Sequence, residues 1–280
     1  MNGSPRGRIY FGYQRVLYLG PSLGVSVHRH HALQVFLPLS GGIRLRTGPG
    51  AKWRKFEGAI VPSGQPHEAD SPVALLATFW LEPNLEQARR LVPHSTRAPI
   101  ASVAPSTLER IVPRLLECWT EGYDSQRASA LIDQALAILA PAPMPHSTLD
   151  PRLAQARRIL RSRTRSRLSV GEVAAALSLS PGRLTHLFSA ALGMPPRRYL
   201  LWLRLLDAVE DLAHGASIAE AACGAGFSDA PHLTRTFRRM LGFTPAAVRH
   251  VAFVPESAPR SRSATAGDSR FVQDVAPRPR

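Results

Sequence analysis

The sequence predicts an α+β chain of two domains, a β-rich amino-terminal half with trailing helices and an all-helical carboxy-terminal half. Three observations carry that expectation. Short branched and aromatic runs, broken by Gly, Pro and Ser, crowd residues 16–82. Apolar spacing of three and four replaces them from about residue 84. The segment PAPMPHSTLDP at 141–151, with four prolines in eleven residues, then divides the helical part in two.

The elements follow in order. VLYLG, LQVFLPL, IRLR, GAIVPS and VALLATFWL read as strands. LEQARRLV, TLERIVPRLLECW and ASALIDQALAIL read as helices, with Pro113 expected to kink or restart the middle one. These runs set a first domain at 1–140, a semi-extended linker at 141–150 and a helical domain at 151–250. Residues 251–280 are expected to be a disordered tail, because the segment is rich in Ser, Pro, Ala and Arg.

Composition narrows the function. Hydrophobic residues make up 44% of the 280, which excludes a wholly disordered chain. The net charge is +15, which favours a polyanionic partner, either nucleic acid or an acidic membrane surface. Residues 151–250 hold fifteen arginines, no lysine and six acids, so nine of those fifteen charges lie in about a third of the chain. Cys118 and Cys223 stand far apart and outside any metal-ligand spacing, so both are expected to be reduced core residues. No sustained apolar run marks a signal peptide or an anchor. A soluble, cytoplasmic protein with no membrane partner is the expectation.

The helical domain repeats itself. SVGEVAAALSLSPGRLTHLFSAALG begins at Ser169, and SIAEAACGAGFSDAPHLTRTFRRMLG begins 48 residues later at Ser217. Each copy opens on a capping box (Ser169 with Glu172, Ser217 with Glu220). A tight turn, a second Ser or Asp cap and a helix stopped by Gly193 or Gly242 follow. This is a helix-turn-helix, present twice. On a helical wheel of residues 230–241, Leu233, Phe237 and Met240 form the inward stripe. Pro231, Arg235 and Arg238 fall opposite, with His232, Thr234 and Arg239 on the shoulders. In the first copy Leu184, Leu187, Phe188 and Ala191 point inward, and Gly182, Arg183, Thr185, His186 and Ser189 outward. Such a cationic, polar face suits the DNA major groove. The alternative is a solvated basic face on an ordinary helical domain.

With LSPGRLTHLF, RLLDAVEDL and SIAEAACGAGFSDAPHLTRTFRRMLGFTP in view, residues 151–250 resemble the AraC/XylS family of transcriptional regulators. The resemblance implies two helix-turn-helix units joined by a long helix at about 197–213, each unit placing its second helix in one of two successive major grooves. It carries base contact to Gly182, Thr185 and His186, and to Ala230, Pro231, His232, Thr234 and Arg235. Gly182, Ala230 and Pro231 have no side-chain hydrogen bond to give a base. The expected DNA contacts are therefore Arg183, Thr185, His186, His232, Thr234, Arg235, Arg238 and Arg239.

The first domain holds a second candidate site. In HRHHALQ, residues 28, 30 and 34 share one face if the segment is a strand, and PSGQPH brings His67 after a turn. His28, His30 and His67 could converge on a metal, with Gln34 a weaker neutral ligand than a carboxylate. The same four residues could instead line an organic-ligand pocket or be satisfied structural histidines. The spacing resembles the two motifs of cupin barrels, where metal-binding members carry Glu at the Gln34 position. Cupin-like effector domains precede the DNA-binding domain in many AraC/XylS regulators, so the resemblance implies a cupin-like β-barrel here.

Together these readings make the chain a non-enzymatic regulator, expected to act as an activator. Its partners would be promoter DNA, a small-molecule effector, RNA polymerase and a second copy of itself. Leu131, Ala135, Ile138 and Leu139 offer a narrow seam for the last, although core packing would look the same. No cofactor is expected unless the pocket takes a divalent metal. The rival reading is a metal-dependent cupin enzyme fused to a DNA-binding module.

Overall fold

The computed structural model describes residues 7–12, 14–23, 25–71, 75–83, 85–91, 99–141, 150–165, 168–248 and 251–255. Nine strands come first: β1 (Gly7–Gly12), β2 (Arg15–Pro21), β3 (Val25–His28), β4 (Leu33–Pro38), β5 (Ile43–Arg46), β6 (Arg54–Phe56), β7 (Ala59–Val61), β8 (His67–Asp70) and β9 (Leu75–Leu81). Helix α1 (Glu86–Leu91), the short strand β10 (Ala101–Ser102), α2 (Pro105–Glu121) and α3 (Ser125–Leu139) complete the first half. The second half holds α4 (Pro151–Ser162), α5 (Val170–Ala175), α6 (Pro181–Leu192), α7 (Pro196–Ala213), α8 (Ile218–Gly224), α9 (Ala230–Leu241), a 3-10 turn (Pro245–Val248) and β11 (Val251–Pro255).

The strands form a seven-stranded sheet, ordered β10-β7-β4-β9-β2-β1-β11, and a four-stranded sheet, ordered β3-β8-β5-β6. The two face each other over Phe36, Ile43, Leu45, Val61 and Leu76, but they do not close into a barrel. The burial pattern explains the sequence runs. In β5, Ile43 and Leu45 are buried and Arg44 is exposed, the alternation of a strand with one wet face. In β2, Val16 to Gly20 are all buried, because both faces of the large sheet are covered. Leu17, Leu19 and Phe79 meet Ile111 and Leu115 of α2 and Ile132 and Leu136 of α3 on one side. Ile9, Val16 and Tyr18 meet the helical domain on the other.

Several expectations need correction. Pro113 lies inside an unbroken α2. Leu131 and Ala135, half of the proposed dimer seam, are buried in the chain's own core. Cys118 is buried as expected, but Cys223 is exposed, because its turn of α8 faces solvent. The disordered tail does not begin at 251: Val251–Pro255 pairs in parallel with β1, from Gly7 opposite Val251 to Phe11 opposite Pro255. The run VAFVP has the β-branched and aromatic character to extend a sheet edge. Residues 256–280 and most of the 141–150 segment lie outside the described residues.

The two halves are therefore packed together. Trp202, Leu206 and Val209 of α7 abut Ile9, Val16 and Tyr18 of the sheet. Beside them Glu82, just after β9 and 3% exposed, takes ion pairs from Arg157 and Arg161 of α4, the latter at 2.8 Å. The Tyr199 hydroxyl of α7 lies 3.2 Å from both Glu82 carboxylate oxygens. Four groups from two domains thus share one buried cluster.

Candidate nucleic-acid interface and histidine centre

Both repeats fold as their caps dictate. Ser169 Oγ accepts from the Glu172 amide at 3.1 Å while the Glu172 carboxylate accepts from the Ser169 amide at 2.8 Å; Ser217 and Glu220 do the same at 3.2 and 2.8 Å. These backbone and hydroxyl donors hold both glutamates below their usual range. Ser180 and Asp229 cap the second helix of each unit, and Gly193 and Gly242 end them in the left-handed conformation.

The turn Gly-Phe-Ser-Asp now has a role for each residue. Gly226 adopts φ +76° and reverses the chain after α8. Phe227 is then buried, its amide donating to Ala222 O at 2.9 Å. Ser228 Oγ lies 3.1 Å from His232 Nδ1, and Asp229 Oδ1 accepts from the His232 amide at 2.5 Å. The same slot in the first unit is Ser178, at φ +54° without glycine's freedom.

The reading helices divide as the wheel requires, with one exception. On α9, Leu233, Phe237 and Met240 are buried, Pro231, Arg235, Arg238 and Arg239 are exposed, and His232 and Thr234 are half-buried. On α6, Leu184 and Phe188 are buried and Gly182, Arg183, His186 and Ser189 exposed. Ala191 was expected inward but is exposed; Leu192 is buried in its place, because the inward stripe drifts round the helix with the 3.6-residue period. Thr185 is half-buried, and its hydroxyl donates to Pro181 O at 2.8 Å. That leaves its methyl and the oxygen's two lone pairs for a partner.

The second site also assembles, though by a different route. His28 ends β3, Gln34 lies in β4, and the chain between is not extended. The shared strand face expected for 28, 30 and 34 is absent; a turn brings His28 and His30 together, and β8 pairs His67 opposite His28. The three rings lie 4.2 to 5.4 Å apart, and one ligand nitrogen from each falls within 4.8 Å of the others. All are buried, as is Gln34.

The proton positions follow from the partners. The Nδ1 atoms of His28, His30 and His67 lie 2.8, 2.8 and 3.0 Å from the carbonyls of Ser26, Ala32 and Gln65. A carbonyl only accepts, so each Nδ1 carries the hydrogen. Burial holds the rings neutral, depressing His28 to about 3 and His30 and His67 below their usual value, with neighbouring histidines adding to it at His28 and His67. Each Nε2 is then a bare lone pair. The Gln34 amide oxygen position is 2.8 Å from Nε2 of both His30 and His67. An oxygen cannot donate to either, whereas the amide turned over gives one N–H to each ring. Gln34 thereby closes the centre without a metal. Neutral, Nδ1-anchored rings are also what a divalent cation requires, so the donor set fits one.

Sequence reasoning missed Glu82, Arg29 and His31. Glu82 follows a strand as an isolated acid, and only the three-dimensional approach of α4 and α7 shows its use. The centre also touches the reading helix. Ser26 N and Oγ both donate to Gly242 O, at 3.1 and 2.9 Å, and Arg29 N donates to Arg239 O at 3.4 Å.

Comparison with known proteins bears on the helical domain and on the fold. Residues 173–250 match the family described as a helix-turn-helix domain. The HTH-type transcriptional activator RhaS of Pectobacterium carotovorum is 38% identical over 87 residues, 31% of this chain and 31% of its own. RhaS of Pectobacterium atrosepticum is 43% identical over 65 residues, 23% of each chain. The matches thus span less than a third of those relatives' length. Among solved structures, an apo form of ToxT from Vibrio cholerae strain SCE256 aligns with a TM-score of 0.57 over 84% of this chain and 96% of that one, at 9% identity. That likeness is one of fold.

Proposed function

We propose that this chain is a sequence-specific DNA-binding transcription regulator of the AraC/XylS type whose amino-terminal domain receives a small effector. The observation that carries the reading is the pair of fully capped helix-turn-helix units with exposed Arg183, Arg235 and Arg238 on their second helices. Its expected action is activation, in the cytoplasm, on promoter DNA with RNA polymerase, with a second copy of the chain as partner. No helix among the described residues is long and apolar enough to cross a membrane.

The effector acts by population shift. An occupant of the first domain that favours one packing of β3 against α9, or of Glu82 against α4, changes how α6 and α9 are presented to DNA. Retardation of a selected duplex by the full chain, with competitor of unrelated sequence, tests the core of the proposal. A preference of at least roughly a thousandfold is expected of a specific regulator. Equal affinity for every duplex overturns it.

A second reading concerns the histidine centre. The convergence of one ring nitrogen from each of His28, His30 and His67 within 4.8 Å favours a divalent metal there, taking the place of the Gln34 amide, as effector or structural ion. Metal analysis of protein purified without chelator tests it: one equivalent of zinc or iron, lost in His67→Ala, supports the metal, and none leaves the amide-bridged centre. Turnover would be needed to restore the enzyme reading, which nothing in the relatives' names as activators suggests.

A further inference from the structure

A cleft of about 640 Å³ opens between the two domains, and His30 of the histidine centre forms part of its wall. Arg29 stands on the sensor side; Arg197, Arg198 and Arg239 stand on the helical side. All four are exposed, none makes an ion pair among the described residues, and none of the lining residues described is acidic. Four like charges around one concavity repel one another; water and salt screen part of that cost, and an anion bound among them would relieve the rest.

A second observation points the same way. His31 lines the cleft, is 1% exposed, and has no hydrogen-bond partner on either ring nitrogen among the described residues. Its only close ring neighbour among the described residues is Tyr199, edge-on at 5.6 Å. A buried imidazole normally finds a partner for its N–H, so this one is held ready for an acceptor that enters the cleft. Gly64 and Gly193, in left-handed turns on opposite walls, leave open space above them. The remaining wall is apolar, formed by Met194, Leu201 and Met240.

We infer that this cleft binds a small organic oxyanion carrying more than one negative charge, a polycarboxylate or a phosphate ester, through Arg29, Arg197, Arg198 and His31. Its carbon skeleton lies on the apolar wall. The ligand is held by both domains at once, so its binding energy depends on their relative placement. DNA phosphate is the competing occupant of these arginines. The cleft disfavours it, because it sits at the C-terminal ends of α6 and α9, whereas major-groove reading of this type uses the helix N-termini.

Calorimetric titration of the full chain with citrate, inorganic phosphate, glucose 6-phosphate and glucose tests the inference. At least one anion should bind saturably, one per chain, with glucose silent. Citrate alone identifies the polycarboxylate, and the phosphates alone identify the ester. Arg29→Gln with Arg198→Gln should weaken that binding roughly 10- to 100-fold, since each lost contact is a charge-assisted hydrogen bond. Both side chains are exposed, so the variant should stay folded by circular dichroism, and His31→Leu should weaken the anion without altering surface charge. No saturable binding up to millimolar concentration, or equal binding in the variants, overturns the site. So does a double variant that loses DNA affinity alone, which assigns the arginines to phosphate contact. DNA recognition can stand while this inference falls, and the reverse.

Discussion

Glu82→Gln should be among the most damaging single substitutions in the chain. Glu82 is 3% exposed and its partner Arg157 only 9%. The change removes the negative charge from a cluster of Arg157, Arg161 and Tyr199, leaving a buried guanidinium with no counter-charge. Breaking a buried pair in this way costs about 3–5 kcal/mol, far above the ~1 kcal/mol of an exposed pair. Against a total stability of about 5–15 kcal/mol, that is a large fraction. The cost should appear as a lower midpoint in urea unfolding followed by tryptophan fluorescence, since Trp80 and Trp202 both lie at the domain junction. Glu82→Leu combined with Arg157→Met should recover much of it, because two apolar groups of similar size need no pairing. If Glu82→Gln costs less than about 1 kcal/mol, or the double variant is worse than the single one, the cluster does not hold the domains together.

Other changes should separate roles along one helix and across the junction. Arg235→Ala should relax preference at one base position, at about 1–3 kcal/mol, whereas Arg238→Ala should weaken all sequences alike, as titrations on point-mutated duplexes would show. Gly242→Ala should destabilise by about 1–3 kcal/mol in the same urea assay, because a Cβ there would lie 2.7 Å from His28 Nδ1 and 2.8 Å from Ser26 O at φ +78°. Stability should also fall with acid. His28 and His31 titrate near 3, and His30 and His67 are likewise lowered, so the folded state resists protons that the unfolded chain takes up below about 6.5. The stabilisation is present above that pH and is lost as pH falls, by about 1 kcal/mol for each of His28 and His31 between pH 6.5 and 5.5, with His30 and His67 adding in the same direction. A flat stability profile across that range would show that the four rings are not buried as neutral groups.

Much of this was legible in the sequence where local chemistry decides the structure. Ser169, Ser217, Asp229, Gly193 and Gly242 each do one local job, and each sits where the repeat places it. His28, His30, Gln34 and His67 do converge, although the strand argument that joined them fails between residues 29 and 32. What sequence left hidden is non-local. β1, β3, β6 and β8 carry Arg, Lys, Ser or His in place of clean alternation, and they become strands because neighbours pair with them. β11 is defined only by β1, more than two hundred residues away. Ala191 shows the limit of an idealised wheel, and Glu82 the limit of reading two domains as separate.

The most direct test of the account is a hydroxyl-radical footprint of the full chain on a duplex selected for tight binding. Two helix-turn-helix units on the linking helix α7 predict two protected stretches on one face of the DNA, about one helical turn apart, with major-groove contacts in each. Arg235→Ala should leave the stretch read by α6 and weaken the other. A single stretch, or uniform protection along the duplex with no selected sequence, would contradict the reading of this chain as a double helix-turn-helix regulator.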